Sequence, residues 1–133
     1  MSIVVCTLSL VNAILAANRE ILLRRTFWAC AQVESGGDPR AFNLKENAAG
    51  LMQIRPIMVR DANRIIGREK WTLADRWNVE QSWQMFRLIV RYYHPKGSPE
   101  QWARTWNGGG KGAKKTSTLA YWAKVAAALK AIP

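Results

Sequence analysis

The sequence predicts an all-α single domain of about five to seven helices, with at most a small β-ribbon near residues 40–55. Three observations carry that expectation. Apolar residues recur at three- and four-residue spacing along most of the chain, and no stretch of five alternates convincingly with period two. The length of 133 residues suits one core and leaves no room for a cofactor domain beside a substrate domain. An apolar fraction of 49% against 22% charged residues excludes intrinsic disorder, even at a net charge of +11.

The first 18 residues carry no side-chain charge, and 2–17 is largely apolar. A secretory signal would place positive charge before such a run and small residues at the cleavage positions. Here Arg19 follows the run, and Leu15-Ala16-Ala17 fits poorly before Asn18. The run is also short of the roughly 20 apolar residues of a membrane span. It reads as a buried first helix, with an export or anchor segment as the alternative and 1–8 open to assignment as an extra N-terminal piece. A second helix over Ile21 to Ser35 places Leu23, Phe27 and Cys30 on one stripe and stops at Gly36-Gly37-Asp38-Pro39.

Pro56 opens the next helix, which runs through Met58, Ala62 and Ile65 to Gly67. Asn78 with Gln81 reads as a capping box for a helix striped by Val79, Trp83, Phe86, Val90 and Tyr93. After His94-Pro95-Lys96-Gly97, the trio Ser98, Pro99 and Gln101 caps a short helix carrying Trp102 and Trp106. Beyond a glycine-rich turn, Leu119, Trp122, Ala126 and Leu129 line a last helix, while Tyr121 and Val125 fall on a different face.

Twenty Lys and Arg against nine acids imply an acidic partner: nucleic acid, an anionic membrane or an anionic wall polymer. Two cysteines exclude a disulfide scaffold and form no CxxC, so Cys6 and Cys30 read most simply as buried thiols, with a bridge between them as the alternative outside the cytoplasm. A single His94 leaves neither a histidine-rich zinc site nor an ordinary Ser-His-Asp triad, so no metal and no cofactor is expected. One competing reading is a non-catalytic basic module. Lys111, Lys114, Lys115, Lys124 and Lys130 surround an apolar stripe that suits anionic lipid or phosphates. No nucleic-acid motif accompanies it.

Glu34 is the most informative position. At 100° per residue, Cys30, Phe27 and Leu23 lie within about 40° of it, so the carboxyl continues an apolar stripe. It also sits in the last helical turn, where the dipole disfavours negative charge. Desolvation and dipole both raise its pKa and hold the proton on, as a general acid requires. The alternative is a helix-end glutamate that swings out to pair with an arginine.

Four blocks surround it: Glu34-Ser35-Gly36-Gly37-Asp38-Pro39, Gly50-Leu51-Met52-Gln53-Ile54, Trp106-Asn107-Gly108-Gly109, and Tyr121 with Val125. In that order and spacing they resemble the lysozyme-like catalytic domain of soluble lytic transglycosylases, the SLT or goose-type lysozyme superfamily, from about Ser9 to Ala131. The resemblance implies helices around a glycan-binding cleft and a peptidoglycan strand as partner. It makes Glu34 the catalytic acid, with Ser35 orienting it or the substrate. Met52 and Gln53 would line the cleft, and Gly50 would let the backbone approach the sugar. Asn107 would bind an N-acetyl sugar, and Tyr121 would set its hydroxyl near Glu34. Relatives often carry Tyr-Asn where this chain has Trp106-Asn107, which keeps the aromatic wall and loses a phenolic hydroxyl.

The family chemistry needs one carboxyl where ordinary glycosidases need two. If Glu46 or Asp38 positions a water, the same fold would act as a hydrolytic muramidase. Trp28, Trp83, Trp102 and Trp122 read as core. Trp71 and Trp77 flank Thr72 to Arg76, a segment readable as a lid, a sugar-stacking edge or a packed loop. Because relatives have a helix at the position of Val11 to Ala17, a cleaved signal there would remove part of the domain. The expected setting is the cell wall, reached from the periplasm or outside or inside a phage particle, by a monomer that binds no specific nucleic acid.

Overall fold

The computed structural model describes residues 3–133, and within them five α-helices and one two-stranded ribbon. The first helix, α1, runs unbroken over Ile3–Ser35. The two helices expected here are one, because Asn18-Arg19-Glu20 contains no glycine or proline to interrupt the backbone ladder. The expected burial of the N-terminal part is overturned as well. Residues 3–22 are exposed apart from half-buried Glu20, and the core begins at Leu23. Cys6 accordingly lies exposed and only Cys30 is buried, both as free thiols.

Gly36 and Gly37 end α1 with φ of 65° and 81°. Their amides turn back onto Gln32 O and Ala31 O, satisfying carbonyls that the helix end would leave free. The ribbon follows, with β1 (Phe42–Asn43) antiparallel to β2 (Ala48–Ala49). Ala49 and Ile54 then exchange two backbone hydrogen bonds of 3.0 Å, which closes the Gly50–Gln53 turn.

Helix α2 (Pro56–Ile66) starts on its proline and ends at Gly67, where φ is 81°. Asn78 caps α3 (Val79–Tyr93) by accepting from the Gln81 amide at 2.9 Å. On α4 (Pro99–Gly108) the cap is reciprocal: Ser98 Oγ accepts from the Gln101 amide and Gln101 Oε1 accepts from the Ser98 amide. Two 3₁₀ turns, Gly112–Lys114 and Thr116–Thr118, lead into α5 (Leu119–Ala131).

The core is an aromatic chain that leads to the cleft. Phe27 packs at 5.3 Å from Trp83 and 5.5 Å from Phe86, and Phe86 meets Trp106 at 5.3 Å. Trp102 is fully buried beside them. Trp28 departs from the core reading at 43% exposure, resting edge-on against Phe27, and Trp122 is only half-buried. On α5 the stripe is also corrected. Val125 is its buried residue and Leu119 is exposed, because the helix turns the Tyr121/Val125 side toward the core.

The segment after α2 packs down and forms no lid. Trp71 is buried and donates its indole N–H to Gln81 Oε1 at 2.9 Å. Arg76, in the 3₁₀ turn Leu73–Trp77, donates to the carbonyls of Leu73, Asn47 and Ile54 and so fastens the turn to the ribbon. Trp77 stays partly exposed against Phe42.

Candidate active site

Glu34 lies half-buried one helical turn after Cys30, at the end of the half of α1 that the core surrounds. Tyr121 reaches across from α5 and donates its hydroxyl to Glu34 Oε2 at 3.1 Å. Among the described residues no salt bridge involves Glu34. Burial therefore pushes its carboxyl up from an ordinary 4.5 to about 7. The Tyr121 hydrogen bond and the Arg55 charge oppose that rise, while the nearby Glu46 charge adds to it. Burial also drives the Tyr121 hydroxyl upward and the Cys30 thiol to about 12, so both stay protonated donors at neutral pH. The stripe reading of Glu34 agrees with this environment.

The carboxyl opens into a polar pocket of about 240 Å³. Glu46, Asn43 and Gln53 enter it from the ribbon and its turn, Arg55 and Met58 from the start of α2, and Trp106 and Asn107 from α4. Four of these, Arg55, Met58, Trp106 and Asn107, also line a larger cavity of about 670 Å³ between α2 and α4. The two cavities adjoin to form one trough. The larger arm bears Arg60, Arg64 and Lys115 on its walls. Its one carboxylate, Asp61, is engaged by Arg64 at 2.7 Å and by the Tyr93 hydroxyl at 3.2 Å. The Thr105 hydroxyl, buried on the same wall, has no protein partner among the described residues.

The sequence-predicted residues divide between wall and scaffold. Gln53, Trp106, Asn107 and Tyr121 stand at or beside the carboxyl. Gln53 adopts φ 49° and donates Nε2 to the Ala41 and Gly50 carbonyls, which fixes the turn. Trp106 lies under the pocket and donates its indole N–H to Met52 O at 3.3 Å. Met52 itself must be reassigned, because its side chain is fully buried behind the cleft and Met58 occupies the wall. Met58 is held there by the Arg55 amide, which donates to its sulfur.

Gly50 also has a different reason from the one expected. A Cβ there would fall 2.0 Å from Arg76 O, so the glycine admits the chain's own backbone, at φ 81°. Ser35 donates its hydroxyl to Leu51 O at 2.7 Å and accepts from the Asp38 amide at 3.1 Å. It ties the Gly-Leu-Met-Gln-Ile turn to the end of α1. Of the two spare acids, Asp38 turns back to accept from the Arg40 amide, and only Glu46 lines the pocket. Sequence reasoning missed Asn43, Arg55 and Met58, since single residues flanking a block carry no pattern of their own.

The arrangement can hold a proton on one carboxyl beside a trough that has room for an extended polymer. The larger arm presents four cations, Arg55, Arg60, Arg64 and Lys115, to anionic groups of such a ligand. No curated protein and no solved structure matches the chain. A family model does, described as the Transglycosylase SLT domain, over residues 12–127. That span includes every residue of the pocket as well as Tyr121. The chain belongs to the transglycosylase SLT-domain family, the peptidoglycan-cleaving enzymes of the lytic transglycosylase type.

Proposed function

We propose that this protein is a lytic transglycosylase that uses Glu34 as acid and then as base on the β-1,4 bond between N-acetylmuramic acid and N-acetylglucosamine. The observation that carries the reading is a carboxyl without an ion-pair partner among the described residues, desolvated to a pKa of about 7, with Tyr121 as its hydrogen-bond donor. Glu34 gives its proton to the glycosidic oxygen, and the bond from that oxygen to the muramyl C1 breaks. The substrate's own N-acetyl oxygen stabilises the positive centre at C1. The Glu34 carboxylate then takes the proton of the muramyl 6-hydroxyl, O6 bonds to C1, and a 1,6-anhydro ring closes without water. The acid is regenerated.

In this reading the other residues position atoms. Asn107 and the free oxygen of Gln53 face the sugar's amide, and Trp106 forms the aromatic base of the pocket. Ser35, Gly50 and Met52 act from behind, by holding the turn that carries Gln53. The reaction takes place at the cell wall, where the net charge of +11 favours an anionic polymer. Delivery inside a phage particle is one route consistent with that setting.

Mass spectrometry of the products tests the reaction. A muramyl product one water lighter than the hydrolysed sugar is expected, and a hydrated reducing end would overturn the proposal. A specific observation supports hydrolysis as the second reading: Glu46 lines the pocket with Glu34 and could orient a water. Glu46→Gln separates the two. A transglycosylase keeps most of its rate in this variant, while a two-carboxyl hydrolase loses it.

A further inference from the structure

We infer that the N-terminal half of α1 inserts into an anionic lipid bilayer and stays part of the working protein as its membrane attachment. Over 3–18 the helix carries no charged side chain, and large aliphatic residues stand out from it in several directions. Ile3, Val4, Leu8, Leu10, Ile14 and Leu15 are each more than half exposed. An 18-residue window of this helix has a mean hydropathy of 1.4 and is 0% buried. A helix that rests on a protein surface has a polar face for water, whereas one that is apolar all round belongs in a core or in lipid. At about 1.5 Å per residue the uncharged stretch 3–18 is about 24 Å long, enough to enter deep into the hydrocarbon layer while falling short of crossing its roughly 30 Å.

The charge around it is complementary to a lipid surface. Arg19 ends the apolar stretch, and Arg91 of α3 and Lys96 of the following loop share a groove with Asn12, Leu15 and Ala16. Glu20, in the same groove, is paired with Arg87 at 2.6 Å. Three cations from separate elements therefore line the domain-side end of the apolar stretch, where long basic side chains can reach anionic headgroups. A leader that is cut away accounts for the same apolar run less well. The family match begins at residue 12, so a cut after Ala17 would remove the start of the matched domain and split an unbroken helix.

Flotation of the full chain with liposomes tests this independently of catalysis. The parent is expected to float with vesicles of phosphatidylglycerol and phosphatidylcholine. Leu8→Lys combined with Val11→Lys should lower the floating fraction at least about tenfold, because a lysine near the centre of an inserted helix opposes insertion by more than that ratio. Arg19→Glu with Lys96→Glu should weaken binding to the anionic vesicles and leave residual binding to pure phosphatidylcholine unchanged. Both double variants should cleave soluble glycan fragments at the parental rate, which shows that they fold. A parent that stays at the bottom of the gradient overturns the inference. So does a soluble oligomer that the lysine variant dissociates, or an intact mass from membranes of expressing cells that begins after residue 18.

Discussion

Helix α1 holds two glutamates of the same chemistry, and its two halves treat them in opposite ways. Glu20, on the half that stands in the open, is paired with Arg87 at 2.6 Å, and both side chains remain about two-fifths exposed. Glu34, on the half enclosed by α3, α4 and α5, has no cationic partner within salt-bridge distance among the described residues, and receives one hydroxyl. Both halves are rich in apolar residues, so composition alone does not separate them. What separates them is the set of elements packed outside. A carboxyl becomes a proton donor near neutrality where neighbours exclude water and withhold an ion pair.

The largest test of that contrast is catalytic. Glu34→Gln should lower the rate of wall clearing by about 10²–10⁴-fold, the usual worth of a positioned acid, whereas Glu20→Gln should leave it within a factor of about two. Turbidity of a wall suspension reads both. Loss of activity in the Glu20 variant alone would reverse the assignment of the two halves.

Stability should show the same asymmetry. Phe27→Ala removes a ring from the centre of the aromatic chain and should cost about 3–5 kcal/mol in denaturant unfolding. Leu10→Ala, on the open half, should stay within about 0.5 kcal/mol. Gly50→Ala should fall between them, near about 1–3 kcal/mol, since the new methyl meets Arg76 O in a backbone that is already left-handed.

A smaller effect tests the cause of the raised pKa. Because the folded value lies above the ordinary one, the stability that Glu34 contributes is complete below about 4.5 and is lost as pH rises through about 7. Glu34→Gln should therefore melt higher than the parent at about pH 8 and level with it at about pH 4 in thermal scans. Smallest is Tyr121→Phe. That hydroxyl stabilises the carboxylate, so its removal should move the alkaline limb of the activity profile upward from about 7. A downward move would mean that the hydroxyl favours the protonated acid.

Local chemistry made much of this legible in the sequence. Asn78, Ser98, Gln101, Pro56 and Gly67 act where their types predict, because caps and breakers operate within one turn of chain. Glu34 was legible because 100° steps place it on the stripe of Cys30 and Phe27. Contacts between distant segments were not. Nothing in Gly50-Leu51-Met52 says that Arg76 O will sit against the glycine, or that Met52 will turn inward and leave the wall to Met58. The join at Asn18 was misread because the change from an uncharged apolar run to a charged, striped segment looks like a boundary, while the backbone there holds nothing that breaks a helix.

That unbroken join has a mechanical meaning. A glycine or proline near Asn18 would act as a swivel, and the domain would turn freely about its outer segment. With 33 helical residues in one rod, orientation is transmitted from end to end. Fixing the outer end fixes the direction in which the trough faces, and with it the angle at which a strand can be laid across Glu34. The helix behaves as a mast in place of a tether. A short glycine insertion after Asn18 would leave every side chain of the site in place and remove only its aim.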